Sequence, residues 1–221
     1  MMHVNDIPEY FLIPAISAAG LVGNTLSLII LYRRCNSTSL NSSFTHLLFS
    51  LAIFDSFFII FFCCLFTPWI QLPTRLLPYI LPLVSISLTG SVYSVVAITV
   101  ERFIIVKQFN TTLCRSKVLI PFIIILSISF NVVKFFEHTT KKHQYANDED
   151  DIESEIFIVE PTELRRHPLY VLVYVNLINF LIMHLIPFFI LSILHCLIFI
   201  SVRKIAKIQQ QQSMMLSLIH I

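Results

Sequence analysis

The stretch Leu88–Lys107, LTGSVYSVVAITVERFIIVK, decides the fold of this chain. It begins with small residues, continues through an apolar run over 92–100, and ends on an acid and a base, Glu101 and Arg102. From Arg102 back to Leu76 almost every residue is apolar or small, so the segment is long enough to cross a bilayer as a helix. A charged pair at the end of such a helix belongs at the membrane–water boundary, where the headgroup region solvates it.

The composition indicates a membrane protein. Hydrophobic residues make up 56% of the 221 residues and charged residues 13%, whereas soluble domains carry about 25% charged residues. Such a chain cannot cover a globule with polar surface. The polar residues inside the apolar segments offer no nucleophile–base pair and no metal-ligand cluster, so we do not expect an enzyme. We expect the lipid bilayer as a partner and no nucleic acid.

The apolar segments predict an all-α bundle of five transmembrane helices. Arginines and lysines that follow the first, third and fifth segments place the N-terminus outside the cell and those ends inside. The predicted regions are an outer tail at 1–9, spans at about 10–32, 44–68, 76–106, 118–136 and 169–201 within a membrane domain over 10–207, a long outer loop at 137–168, and a cytoplasmic glutamine-rich tail at 208–221.

Two polar residues interrupt the first two spans. Asp55 lies near the middle of the second span, where a carboxylate costs roughly 2.5–3.5 kcal/mol and therefore needs a partner or a proton. Asn24 lies in the first span, where it could be an ordinary hydrogen-bond donor between helices. For Asp55 the structural alternative is a protonated side chain bonded to a neighbouring helix.

The fifth span carries a proline near its middle, Pro187. A proline at this place frees a backbone carbonyl that a neighbouring helix must satisfy. Asn176, Asn179 and His184 in the same span could line a ligand pocket or join helices.

The predicted outer loop is strongly acidic, with eight acids and no base over 147–163. The run 156–159 is apolar and largely β-branched, which predicts a short strand. The acids, Glu160 and Glu163 among them, could attract a cationic ligand, or the loop could be merely solvated.

An ordered set of motifs carries a resemblance to a known family. Gly23-Asn24 stands in the first span, Leu51-Ala52-x-x-Asp55 in the second, Glu101-Arg102-Phe103 at the end of the third, and Pro187 in the fifth. The set resembles the rhodopsin-like (class A) G protein-coupled receptors, of which this chain would hold five of the seven helices. The stretches LTGSVYSVVAITVERF, FNVVKFFE and ELRRHPLYVLVYVNLINFLIMHLIPF resemble invertebrate FMRFamide-type neuropeptide receptors.

The resemblance implies a function in the plasma membrane. It implies that an extracellular neuropeptide, of the Arg-Phe-amide type, binds at the outer helix ends and that a heterotrimeric G protein binds inside. It also implies roles for individual residues. Glu101, Arg102 and Phe103 would form a conformational latch and contact the G protein, and Asp55 would bind a sodium ion together with Asn24 and Ser91. The ligand-side positions would be Asn176, Asn179, His184, Glu160 and Glu163.

The sequence also departs from the family pattern. Leu77 stands where the family commonly has a cysteine bridged to the long outer loop, so the attachment of that loop is open. We expect the chain to be truncated after the fifth helix. Two alternatives remain: a truncated receptor that does not signal but associates with intact ones, and a subunit of a membrane transporter, although the internal repeats usual in transporters are missing.

Overall fold

Five helices form the body of the protein. The computed structural model describes residues 11–37, 43–67, 73–107, 116–145 and 154–219. Within these ranges five helical segments are long and apolar enough to cross a membrane, which confirms the predicted all-α transmembrane bundle. Their bounds are Ile13–Arg34, Ser43–Phe66, Thr74–Val106, Ser116–Phe136 and Tyr170–Gln212.

The regular elements follow one another in chain order. The first four spans contain the α-helices α1 to α4, and 3-10 turns open the third span and close the fourth. The α-helices and turns are α1 (Ile13–Ser37), α2 (Ser43–Phe66), a turn (Thr74–Leu76), α3 (Leu77–Val106), α4 (Ser116–Asn131) and a second turn (Val132–Phe136). After them come the strands β1 (His138–Tyr145) and β2 (Ser154–Pro161) and the short helix α5 (Glu163–Arg166).

The fifth spanning helix is partly π-helical. It has π-helical stretches at Tyr170–Ile178 and Leu181–Leu185 and continues as α6 over Ile186–Ile219. The segment predicted as a separate tail at 208–221 is therefore helical up to Ile219 and continues the helix of this span.

Helix α3 is the centre of the bundle. It packs against α2, α4 and α6, whereas α1 packs on α2. Among the described residues, eleven of α3 are buried, compared with four in α2 and four in α4. The buried apolar cluster joins three helices through Leu47 of α2, Ala97 and Ile98 of α3, and Ile123 of α4.

A β-hairpin lies at one end of the bundle, which we call the hairpin end. Strand β1 pairs antiparallel with β2, with Thr139 opposite Glu160 and Lys141 opposite Ile158. The predicted strand at 156–159 lies inside β2, while β1 was not predicted. Five of the eight acids in the predicted outer loop lie outside the described residues: Asp148, Glu149, Asp150, Asp151 and Glu153.

Candidate functional site

The polar residues of the second and third spans meet. The Ser91 hydroxyl of α3 donates a hydrogen bond to Oδ1 of Asp55 in α2 over 2.5 Å. Both side chains are half-buried. This hydrogen bond gives the mid-membrane carboxyl group a partner on a neighbouring helix, which such a group needs inside a bilayer.

A glycine brings these two helices close enough for that bond. A Cβ built on Gly90 would lie 2.7 Å from Cζ of Phe54 and closer still to two other atoms of the ring. Only a residue without a side chain allows the Phe54 ring to lie on the backbone of α3. Because Asp55 follows Phe54 and Ser91 follows Gly90, this close approach also brings the carboxyl and the hydroxyl together.

Asn24 shares a cavity with Asp55. The cavity has a volume of about 290 Å³ and lies between α1 and α2. Its lining residues are Asn24, Ser27, Ile30, Leu31, Leu48, Leu51, Ala52 and Asp55. Ser27 was missed in the sequence, although it stands one helical turn after Asn24, and its hydroxyl donates to the Gly23 carbonyl over 2.9 Å.

The oxygen atoms around this cavity fit a small, hard cation. The lining supplies the carboxyl group of Asp55, the hydroxyl group of Ser27 and the amide of Asn24, and the Ser91 hydroxyl adjoins Asp55. Oxygen is the ligand type that hard cations prefer. Within the described ranges no three His, Cys, Asp or Glu side chains form a metal-binding group. A cation here would therefore be held by Asp55 and neutral oxygens, which suits a monovalent ion better than a transition metal.

The charged pair at the far end of α3 is split between the interior and the surface. Glu101 is buried, with 7% of its surface exposed, whereas Arg102 is exposed. The Arg102 guanidinium lies over the ring of Phe44 in α2, 5.2 Å from the ring centre. Phe103 is half-buried, and its ring is 6.0 Å from the Lys107 ammonium. The latch between Glu101 and Arg102 stays a prediction.

A hydrogen bond from α3 reaches the backbone next to the mid-span proline. Pro187 is buried and lies two residues after Leu185, the last residue of the π-helical stretch Leu181–Leu185. In a π-helix each N–H bonds the carbonyl five residues earlier, and proline has no N–H, so the Ile182 carbonyl loses its donor. The Tyr93 hydroxyl of α3 donates to that carbonyl over 2.9 Å. The two helices are thus joined where the backbone is irregular.

A second buried polar cluster joins α3, α4 and the fifth spanning helix. Asn131 is fully buried, and its Nδ2 donates to the Thr89 hydroxyl and to the Ser127 carbonyl, each over 2.8 Å. The Thr89 oxygen lies 3.3 Å from the sulfur of Met183. The sequence analysis missed these residues, because an Asn near a helix end and a Thr in an apolar run carry no signal of their partners.

Comparison with known proteins identifies the family. Residues 23–219 match the family described as 7 transmembrane receptor (rhodopsin family). This chain belongs to that family. An FMRFamide receptor of Drosophila melanogaster is 28% identical over 220 residues, which cover 91% of this chain and 39% of that receptor. The chain thus spans about two fifths of the length of that relative.

Three ligand-side candidates of this rhodopsin-family chain lie in its fifth spanning helix. Asn176 is exposed and Asn179 half-buried. His184 is exposed, and its ring lies 6.0 Å from that of Phe180. These positions leave both the pocket-lining and the helix-joining roles open.

The other two ligand-side candidates lie at the base of the hairpin. Glu160 in β2 forms an ion pair with Lys141 at 2.7 Å and lies 3.9 Å from Arg166. Glu163 is exposed at the first position of α5. Glu160 thus already has cationic neighbours, whereas Glu163 lies open to solvent.

The hairpin of this rhodopsin-family chain is attached without the usual disulfide. Glu137, of which 6% is exposed, accepts a hydrogen bond from the Tyr170 hydroxyl over 2.7 Å and lies 3.8 Å from Arg165. Its backbone carbonyl accepts from the N–H of Thr162 over 2.9 Å. The Thr162 hydroxyl donates to the Phe136 carbonyl over 2.6 Å. These bonds connect the end of the fourth span, the end of β2 and the start of the fifth spanning helix.

A cation–π contact ties the hairpin to the start of α3. The Arg75 guanidinium lies 3.7 Å from the centre of the Phe157 ring in β2. Such contacts contribute about 0.5–2 kcal/mol. The contact stands two residues before Leu77, the position at which the family pattern has a cysteine.

Proposed function

We propose that this chain is the ligand-sensing and switching part of a receptor for an extracellular neuropeptide of the Arg-Phe-amide type. In its full-length form the receptor would lie in the plasma membrane, with its N-terminus and hairpin outside, and signal through a heterotrimeric G protein. The observation that carries the proposal is the similarity to an FMRFamide receptor along 91% of this chain.

The charge of the hairpin end supports a cationic ligand. The segment 147–163 carries eight acids and no base, and a local excess of negative charge raises the arrival rate of a cationic ligand. Glu163 is exposed and could meet a ligand directly. Glu160 could do so only in exchange for its present partners, Lys141 and Arg166.

The polar residues inside the bundle support a conformational switch as part of the proposed function. We assign a sodium ion to the site of Asp55, Ser91 and Asn24, because the oxygens there fit a small cation. An ion that binds one conformation more tightly than another stabilises the first conformation. It therefore lowers the affinity for a ligand that prefers the second conformation. Arg102 is exposed at the opposite end of α3, where a G protein could contact it.

The first experiment tests the ligand class. The full-length form is expressed in cells, and G-protein activation is measured with an amidated peptide ending in Arg-Phe and with the same peptide as a free acid. We expect activation by the amide and a much weaker response to the acid, because the extra carboxylate meets an acidic surface. Equal potency of the two peptides, or no response to either, would refute the ligand class.

The second experiment tests the sodium site. Peptide affinity is measured in sodium and in an equal concentration of a large organic cation, for the natural receptor and for Ser91→Ala. We expect sodium to lower peptide affinity and the substitution to reduce that effect. Ser56→Ala is the matched control, because this hydroxyl donates to the Ala52 carbonyl of its own helix. A sodium effect that is unchanged in Ser91→Ala would contradict the assignment.

A further inference from the structure

A second cavity opens at the hairpin end, between the start of α3 and strand β1. Its volume is about 340 Å³. It is separate from the Asp55 cavity and shares no lining residue with it. The lining residues are Arg75, Pro78, Tyr79, Phe135, His138, Thr139 and Thr140.

The cavity lies at the ends of two spanning segments, where we expect the lipid headgroups. Its walls come from the beginning of the third span, which starts at Thr74, and from the end of the fourth, which stops at Phe136. Apolar side chains next to the lining residues are exposed, with exposed fractions of 45% for Leu76 and 65% for Phe136. Tyr79, itself 61% exposed, is of the aromatic type enriched at membrane–water interfaces. A lipid can therefore reach this cavity from the side.

The side chains that line the cavity offer hydrogen-bond donors for an anion. Arg75 supplies a guanidinium, His138 an imidazole, and Thr139, Thr140 and Tyr79 hydroxyl groups. Among the residues that the structure describes, no carboxylate lines the cavity. Arginine and hydroxyl groups are the side chains with which proteins bind phosphate oxygens.

Arg75 is available for such a contact. The Phe157 ring covers one face of its guanidinium, and the N–H donors of a guanidinium lie in its plane and point away from that contact. No carboxylate pairs with Arg75 within the part of the chain that the structure describes. A cation that lies on an aromatic ring and has no carboxylate partner among the described residues is suited to bind an anion.

Two acids that neighbour the cavity lining are already engaged. Glu137, next to His138, is buried and accepts the Tyr170 hydrogen bond. Glu160, opposite Thr139 in the hairpin, is paired with Lys141 at 2.7 Å. Neither carboxylate lines the cavity, so Arg75 sets the charge of its wall.

From these observations we propose that the cavity binds the phosphate group of a membrane lipid, with Arg75 as the charged contact and the threonine hydroxyls as further donors. The bound headgroup would fill the space between the hairpin and α3 and so help to hold the hairpin in place. The site does not depend on the ligand or the signalling proposed above.

Native mass spectrometry of the full chain in detergent tests this site. Bound lipid is counted after addition of phosphatidylglycerol or of a diacylglycerol with the same acyl chains, which lacks the phosphate. We expect one tightly bound phosphatidylglycerol and no comparable diacylglycerol. Arg75→Gln should weaken the tight binding about tenfold, the effect of losing one charge-assisted contact. Arg75→Lys should lose less lipid affinity than Arg75→Gln, because lysine keeps the positive charge and lacks only the planar guanidinium.

Arg166→Gln is the matched control. This arginine is also at the hairpin end, has 54% of its side chain exposed and does not line the cavity. Thr140→Val, which keeps the volume and removes a hydroxyl, is a second test should Arg75→Gln fail to fold. Equal retention of phosphatidylglycerol and diacylglycerol would overturn the proposal. An equal loss of phosphatidylglycerol binding in Arg75→Gln and Arg166→Gln would also overturn it.

A separate arm distinguishes the two sources of phosphate. Inorganic phosphate is added to the complex with phosphatidylglycerol. We expect no displacement at equal concentration, because a free anion lacks the acyl chains that contact the exposed apolar residues around the cavity. Displacement at equal concentration would show that the site takes a free phosphate and would refute the lipid as its source.

Discussion

Gly90→Ala is the substitution that most sharply tests the packing of α2 on α3. The added methyl would lie 2.7 Å from Cζ of Phe54, whereas ordinary contact begins near 3.4 Å. Over-packing of this kind costs about 1–3 kcal/mol. Alanine is a better helix former than glycine by about 0.8–1.0 kcal/mol, which offsets part of that cost. We expect a net loss of about 1 kcal/mol in the free energy of unfolding.

Gly23→Ala provides the matched control. A Cβ at Gly23 meets nothing within 4 Å, so only the gain in helix propensity remains and stability should be unchanged or slightly higher. Both variants are unfolded by titration with sodium dodecyl sulfate in mixed micelles, with helix content followed by circular dichroism. Adding Phe54→Leu to Gly90→Ala makes room for the methyl and should recover part of the loss, so that the two substitutions are not additive.

Equal behaviour of the two alanine variants would refute the proposed packing. The same conclusion would follow if Phe54→Leu and Gly90→Ala were additive. In either case the ring would not lie on the α3 backbone, and the meeting of Asp55 with Ser91 would lose its structural basis.

Three other substitutions have defined outcomes. Tyr93→Phe leaves a carbonyl of the fifth spanning helix without its donor, and the same micelle titration should show a loss of about 1 kcal/mol; an unchanged midpoint would contradict the hydrogen bond. Glu137→Ala removes the acceptor of Tyr170, so amide hydrogen exchange in β1 should become faster, while the exposed Glu163→Ala should leave it unchanged; equal exchange in both variants would contradict the anchoring role. Glu101→Gln in the full-length form should raise basal G-protein activation, and no change would count against the latch.

The sequence predicted the bundle because bilayer spanning depends on length and composition alone. Five long apolar segments have no other way to be stable, since every backbone polar group must be satisfied within its own helix. Asp55 stood out for the same reason, because a carboxylate at that depth is costly without a partner. The resemblance to the receptor family then pointed to Ser91 as a neighbour of Asp55. In the structure a hydrogen bond joins these two side chains.

The hydrogen-bond partners on neighbouring helices could not be predicted from length and composition. These helices are apolar around most of their circumference, so the sequence does not show which face of each packs on its neighbour. Tyr93 could have faced lipid, and only the rotation of α3 brings its hydroxyl to the Ile182 carbonyl. The Asn131–Thr89 bond likewise depends on the crossing of α3 and α4.

Only one strand of the hairpin was predicted, because the other depends on a partner that is distant in the sequence. The run 156–159 in β2 is apolar and β-branched, but β1 reads HTTKKHQY and has no apolar alternation. Its strand conformation comes from pairing with β2, a long-range cause that local propensity does not contain. Glu137 was passed over because its role depends on Tyr170, far along the chain.

The orientation of the hairpin tests the central claim of the proposed receptor most directly. A short epitope is inserted between the two strands, after Asp148, and antibody binding is measured on intact cells and on permeabilised cells. If the chain senses an extracellular peptide, the epitope should be labelled on intact cells without permeabilisation. Labelling only after permeabilisation would put the hairpin in the cytosol and Arg102 outside, and would contradict the proposed function.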